Sequence, residues 1–211
     1  MAIDAQEMDV DLLSIAAHKF EGPKGVGALY VRHGTILLPQ MHGGSQERFR
    51  RAGTENVAGA YGMAVAYELA RAEQADVAPR LAALRDRLRD SLTALPNVAL
   101  TGHPRKRLPG HISVIARETD GEALIMNLDM AGISASTGSA CTTGSTEPSH
   151  VLTALGYPEE ETRGSLRLTL GRTTTDADID HAIDVVPQTI SRLRSATPAL
   201  VLDPLGEQVG A

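Results

Sequence analysis

The sequence predicts an α/β protein, and three features carry that reading. Short apolar runs of strand length alternate with helical stretches through the second half of the chain. Leu81, Leu84, Leu88, Leu92 and Leu95 recur at three- and four-residue spacing, the period of one helix face. Gly/Pro clusters, Glu21-Gly-Pro-Lys-Gly25 first among them, interrupt the chain where strands should turn.

In chain order, residues 10–17 and 26–31 read as two neighbouring strands on either side of that turn. A two-stranded unit is marginal in isolation. A further short strand is expected at 36–39, followed by a polar, aperiodic loop over 41–56 of the kind that carries function. Helices are expected over about 57–75 and 77–95, with Asp76 as N-cap of the second and Pro79 in its first turn, where a missing N–H costs little. Pro96-Asn97 ends that helix. Strands at 98–100 and 111–115 follow, then a helix over 121–131 with Asp120 near its start and a short strand at 133–134. A helix from near Pro148, a strand at 166–170 and a helix over 176–193 complete the pattern, and the segment from Pro198 reads as a frayed tail.

Composition narrows the function classes. In 211 residues, 20 Lys plus Arg against 26 Asp plus Glu give a net charge of −6, which offers nucleic acid or an anionic membrane no electrostatic attraction. Aromatic residues make up 3% of the chain, with no Trp, so base-stacking platforms are not expected. No apolar run approaches the ~20 residues of a membrane span, and the start of the chain is acidic where a signal peptide is basic, so a cytoplasmic location is expected. The single cysteine excludes an intrachain disulfide framework and a cysteine-rich metal site. His42 and His103 stand alone in polar loops and read as non-metal residues, and Asp4 and Glu7 read as surface charge.

Two residues stand out as chemistry-bearing. Lys19 lies beside His18 between the first two apolar runs; a lysine at a strand end is most often simply solvated. A buried amine, however, loses its proton readily and can form a Schiff base with a carbonyl cofactor. Cys141 sits in Ser136-Thr-Gly-Ser-Ala-Cys-Thr-Thr-Gly-Ser-Thr-Glu-Pro148, a Ser/Thr/Gly segment with no apolar face. A lone cysteine is more often a small buried hydrophobe, but an exposed thiol near cations is the reactive kind.

Five motifs then resemble one family. They are Ala16-Ala-His-Lys-Phe-Glu-Gly-Pro-Lys-Gly-Val-Gly-Ala-Leu-Tyr-Val31, Gly43-Gly-Ser-Gln-Glu47, Arg51-Ala-Gly-Thr-Glu-Asn56, Ser136-Thr-Gly-Ser-Ala-Cys141 and Ser165-Leu-Arg-Leu-Thr-Leu-Gly-Arg172. In order and spacing they resemble the NifS/IscS-type cysteine desulfurases, in the class V branch of the pyridoxal-phosphate enzymes. That resemblance implies fold type I, with residues 1–60 a remnant of the large cofactor-binding domain at the end of a mainly parallel sheet. Residues 61–197 would be connecting helices and the small C-terminal α/β domain, and 198–211 a flexible tail. It also implies pyridoxal 5′-phosphate on Lys19 with His18 in contact, and Thr54 reaching the cofactor phosphate of a dimer partner. Arg167 would clamp the carboxylate of L-cysteine, and Cys141 would attack the substrate sulfur, leaving a persulfide for a sulfur-acceptor protein and releasing L-alanine.

The chain departs from the family pattern in three places. The family's phosphate-binding turn, ring-stacking histidine, ring-nitrogen aspartate and ring-oxygen glutamine have no counterparts, and Asp4 and Gln6 do not replace the last two. Ala16 stands where many members place a serine, and Phe49 replaces a commoner glycine. The expectation is therefore a desulfurase-type enzyme chain, N-terminally truncated or one half of a split enzyme, that lacks several of the family's cofactor-holding residues. The alternatives are a non-catalytic fragment or dimer partner, and another class V enzyme such as a selenocysteine lyase or aminotransferase.

Overall fold

The structure, a computed structural model, describes residues 3–138 and 149–196. They form two compact units that divide between Val77 and Ala78.

In the first unit, β1 (Leu12–Ala16) and β2 (Gly27–Val31) are the two neighbouring strands read from the sequence, and they pair antiparallel, in a register running from Leu12 opposite Val31 to Ala16 opposite Gly27. A single 3-10 turn, Ala17–Phe20, leaves β1 and ends at Glu21 in the left-handed conformation, whose neighbour Gly22 N–H donates to Ala17 O at 2.9 Å. The strand expected at 36–39 does not form. Ile36 and Leu38 are 88% and 81% exposed and no described strand lies beside them, so their backbone has no ladder to join. The loop that follows folds back on itself: Ala52 N–H donates to Met41 O, and Gly53 N–H donates to Gln46 Oε1. Inside it, α1 (Gln46–Phe49) is one distorted turn in which Glu47, Arg48 and Phe49 all have positive φ.

The two helices expected over 57–95 are one. α2 (Val57–Thr93) runs unbroken through Asp76 and Pro79, so Asp76 caps nothing and the proline sits inside the helix. A proline removes one intrahelical hydrogen bond; the Leu81, Leu84, Leu88 and Leu92 stripe, buried along its length, outweighs that loss.

The second unit is built on an antiparallel sheet in the order β3 (Val98–Leu100), β4 (His111–Ala116), β5 (Ser165–Thr169). All strand pairs among the described residues are antiparallel. Ile112, Val114, Leu166 and Leu168 are buried on one sheet face. They join the core with Leu124 and Leu128 of α3 (Gly121–Met130) and Ile179, Val186 and Ile190 of α6 (Asp176–Ala196). Asp120 caps α3 by accepting from Ala123 N at 2.8 Å. Thr175 and Asp178 form a reciprocal capping box at α6, and the two hydrogen bonds from Thr175 hold the Asp178 carboxyl below its ordinary pKa.

The strand expected at 133–134 is also absent, because Ile133 has another use for its N–H. With Gly132 left-handed at φ 81°, Ile133 N–H donates to Leu128 O and Gly132 N–H to Asp129 O, a Schellman closure of α3. Pairing resumes three residues later, where Ser136 bridges to Arg167. Two short helices, α4 (His150–Ala154) and α5 (Glu159–Thr162), lead back to β5.

Candidate functional site

The residues singled out above fall in both units. His18, Lys19 and Thr54 belong to the first, Arg167 to the second, and Cys141 lies outside the described residues.

The turn that carries Lys19 is held at three points. Ala17 is fully buried and its N–H donates to Val26 O at 3.1 Å, closing the β1–β2 ladder behind the turn. Phe20 meets the edge of Tyr67, with ring centroids 6.3 Å apart at 79°. Pro23 lies where only a glycine fits on α2, since a Cβ on Gly62 would come within 2.7 Å of it. The backbone under Lys19 is thus fixed, but its side chain is not enclosed. Both His18 and Lys19 are exposed, and the amine has no hydrogen-bond or ion-pair partner among the described residues. The burial expected around a Schiff-base lysine is therefore not supplied by these residues, because a two-stranded ribbon covers one side of the turn only. Thr54 is exposed as well, one residue beyond the Gln46–Gly53 closure.

In the second unit the sheet brings two motifs together. Arg167, half-buried in mid β5, pairs with Ser113 on one side. On the other side its N–H donates to Ser136 O at 2.7 Å and Ser136 N–H returns to Arg167 O at 3.1 Å. The segment leading to Cys141 therefore leaves the sheet beside Arg167. Gly138, at φ 51°, lies so close to Ser149 that a Cβ would stand 2.7 Å from that serine's own. Gly138 and Ser149, on either side of 139–148, are pinched together, and Ser149 Oγ is buried there without a hydrogen-bond partner among the described residues. Gly121 contributes to the same crowding, since a Cβ on it would meet Arg163 O at 2.6 Å and Thr137 Cγ2 at 2.9 Å.

Sequence reasoning passed over His111 and Arg107. His111 is half-buried on the same sheet face as Arg167, and burial, then the charges of Arg107 and Arg167, push its imidazole pKa down. The alternation His111-Ile112-Ser113-Val114 was the available signal, a polar face opposite an apolar one. His103 holds a turn: its Nδ1 accepts from Arg105 N and Lys106 N. Asp4 likewise accepts from Gln6 N and Glu7 N at the surface. Among the described residues no group of three His, Cys, Asp or Glu could hold a metal ion, and no described helix is long and apolar enough to cross a membrane.

The fold and the motif order define a class. Residues 1–182 match the aminotransferase class-V family, and the chain belongs to it. Among curated relatives it is 50% identical over 196 residues to a cysteine desulfurase IscS of Methanosarcina thermophila, covering 93% of this chain and 48% of that protein. It is 48% identical over 197 residues to a cysteine desulfurase IscS of Dictyoglomus turgidum, covering 93% and 50%. A NifS-like protein of Rickettsia africae superposes with a TM-score of 0.81 at 30% identity, over 90% of this chain and 50% of that one. A second NifS-like protein gives a TM-score of 0.78 at 34% identity, over 89% and 48%. The chain thus spans about half the length of the curated relatives it matches.

Proposed function

We propose that this chain is the lysine- and cysteine-bearing part of a pyridoxal-phosphate-dependent cysteine desulfurase, which passes the sulfur of L-cysteine to Cys141 and releases L-alanine. The observation that carries this reading is the backbone pairing of Arg167 with Ser136, which starts the cysteine segment beside a guanidinium without an acidic partner among the described residues. A carboxylate-bearing substrate and a sulfur-accepting thiol need that adjacency. The half-length kinship with desulfurases named IscS supports the choice of reaction.

The donor set of the first unit fits pyridoxal phosphate as a covalent anchor: Lys19 offers an exposed amine without a partner among the described residues, on a turn whose backbone is fixed at three points. His18 offers a neighbouring ring and Thr54 a hydroxyl for phosphate. When bound, the group supplies an electron sink for bond changes at the substrate's α-carbon. Lys19 takes and returns the α-proton. Arg167 holds the substrate carboxylate in a bidentate grip. Cys141, as thiolate, takes the substrate sulfur, so that one thiol becomes a persulfide and the substrate C–S bond becomes the C–H bond of alanine.

In this reading residues 1–60 belong to the large domain, 61–197 to the connecting helices and small domain, and 198–211 to a tail. The protein works in the reducing cytoplasm, as a homodimer, and delivers sulfur to an acceptor protein. Exposed Ile36, Leu38, Phe49, Val57 and Tyr61 in the first unit support a second polypeptide covering that surface. The exposure of Lys19 favours the same view, in which a complementing N-terminal half or partner chain encloses the amine.

The test uses absorbance and mass. The chain is mixed with pyridoxal phosphate, alone and with a complementing N-terminal chain, and then given L-cysteine. Expected is a visible cofactor band that Lys19→Ala abolishes, and a gain of one sulfur on Cys141, both strongest with the complementing chain. A band that persists in Lys19→Ala, or sulfur on the chain that Cys141→Ser does not remove, overturns the reading.

A further inference from the structure

The polar face of the second unit's sheet carries more positive charge than a single carboxylate clamp needs. His111 and Ser113 alternate on β4 with buried Ile112 and Val114. Arg167 stands opposite Ser113, and Thr169 opposite His111. Opposed residues of an antiparallel pair share a face, and diagonal neighbours lie ~7–8 Å apart, within reach of long side chains. His111 and Arg167 are such a diagonal pair.

Toward the other edge, Thr101 Oγ1 donates to Ser113 Oγ at 2.6 Å, and Arg107 is pinned beside them, Nη2 to Thr101 O at 2.8 Å and Nε to His103 O at 3.0 Å. The charged groups that act on the His111 ring are Arg107 and Arg167. Behind Arg107 lie Arg85 and Arg89 of α2, and the carboxylate there, Asp86, is already paired with both, at 2.9 and 2.5 Å. Asp90 is paired with Arg89. Neither Arg107 nor Arg167 has an acidic hydrogen-bond partner among the described residues. Among the described residues the face is therefore cationic without a counterion, and the one described group on it able to change charge near neutral pH is an imidazole.

We propose that His111 takes up a proton when a carboxylate anion binds Arg167, which makes it a proton-linked positioning residue of the substrate-binding face. This rests on the carboxylate reading of Arg167 given above. Without the anion, protonating His111 is disfavoured by burial and then by the repulsion of two guanidiniums. A bound carboxylate cancels that repulsion, and by linkage the protonated ring returns the favour in affinity. Anion affinity accordingly rises as pH falls through the ring's titration.

The experiment follows the histidine ring signals of the full chain by NMR through the imidazole range, with propionate or chloride at matched ionic strength. His111→Gln identifies the signal, and Arg167 side-chain signals report binding independently. Expected is a rise of about one pH unit in the His111 midpoint with propionate, corresponding to about tenfold tighter binding by the protonated ring, and loss of pH-dependent propionate affinity in His111→Gln. Propionate binding that leaves the His111 midpoint unmoved overturns the proposal and spares the carboxylate reading. Binding that survives undiminished in Arg167→Gln, or no binding at all, overturns both. The wild-type titration decides the matter even if a variant fails to fold.

Discussion

At the scale of single residues, Phe49 shows a sequence departure becoming a structural cost. By the resemblance drawn from the sequence it stands in place of a commoner glycine, and it is the third of three consecutive residues with positive φ, at 64°. A side chain in the left-handed region costs about 1–2 kcal/mol, whereas glycine enters it freely. Phe49 is also 75% exposed, so its ring recovers little by burial. Phe49→Gly is therefore expected to stabilise the Met41–Ala52 closure by about 0.5–1 kcal/mol after glycine's greater unfolded freedom is counted. Slower hydrogen exchange at the Phe49 and Arg50 amides would register it, and faster exchange would contradict it. His111 makes the opposite point: its local sequence marks only a polar strand face, and its character comes from burial and then from Arg107 and Arg167, brought to it by the fold.

At the scale of elements, Gly138 sits where the cysteine segment leaves the sheet. Its φ of 51° and its closeness to Ser149 leave no room for a methyl group. Gly138→Ala should cost about 1–3 kcal/mol by overpacking a junction that cannot widen without disturbing Ser136 and Arg167. A lower urea midpoint with an unchanged m-value is the expected result, and an unchanged midpoint would mean that the junction yields. The same scale explains two misread elements. Ile133 closes α3 because Gly132 permits the left-handed turn, and α2 passes through Pro79 because buried leucines hold it together.

At the scale of the whole molecule, the two units differ in what they bury. Among the described residues, only Ala17 and Ala52 of the first unit join the buried apolar set, while the second unit holds Leu88, Ile112, Leu124, Leu166, Val186 and Ile190. Burial of apolar surface is the main source of stability. Amides of β4, β5 and α3 should thus exchange near the global unfolding rate, and those of β1 and β2 much faster, when hydrogen exchange is followed by mass spectrometry. Equal protection in both units would contradict this account.

The sequence alone determined β3, β4, β5, α3 and α6 of the second unit, the place of Asp120 at the start of α3, the neighbouring β1 and β2, and the motif order that leads to the aminotransferase class-V family. These rest on local periodicity, turn chemistry and residue spacing, all of which act within a few positions of the chain. Only the tertiary structure decided that Lys19 is exposed, that Ser136 pairs with Arg167 at the start of the cysteine segment, and that His111 faces two guanidiniums. Those facts depend on which residues distant in sequence become neighbours, and strand register sets that.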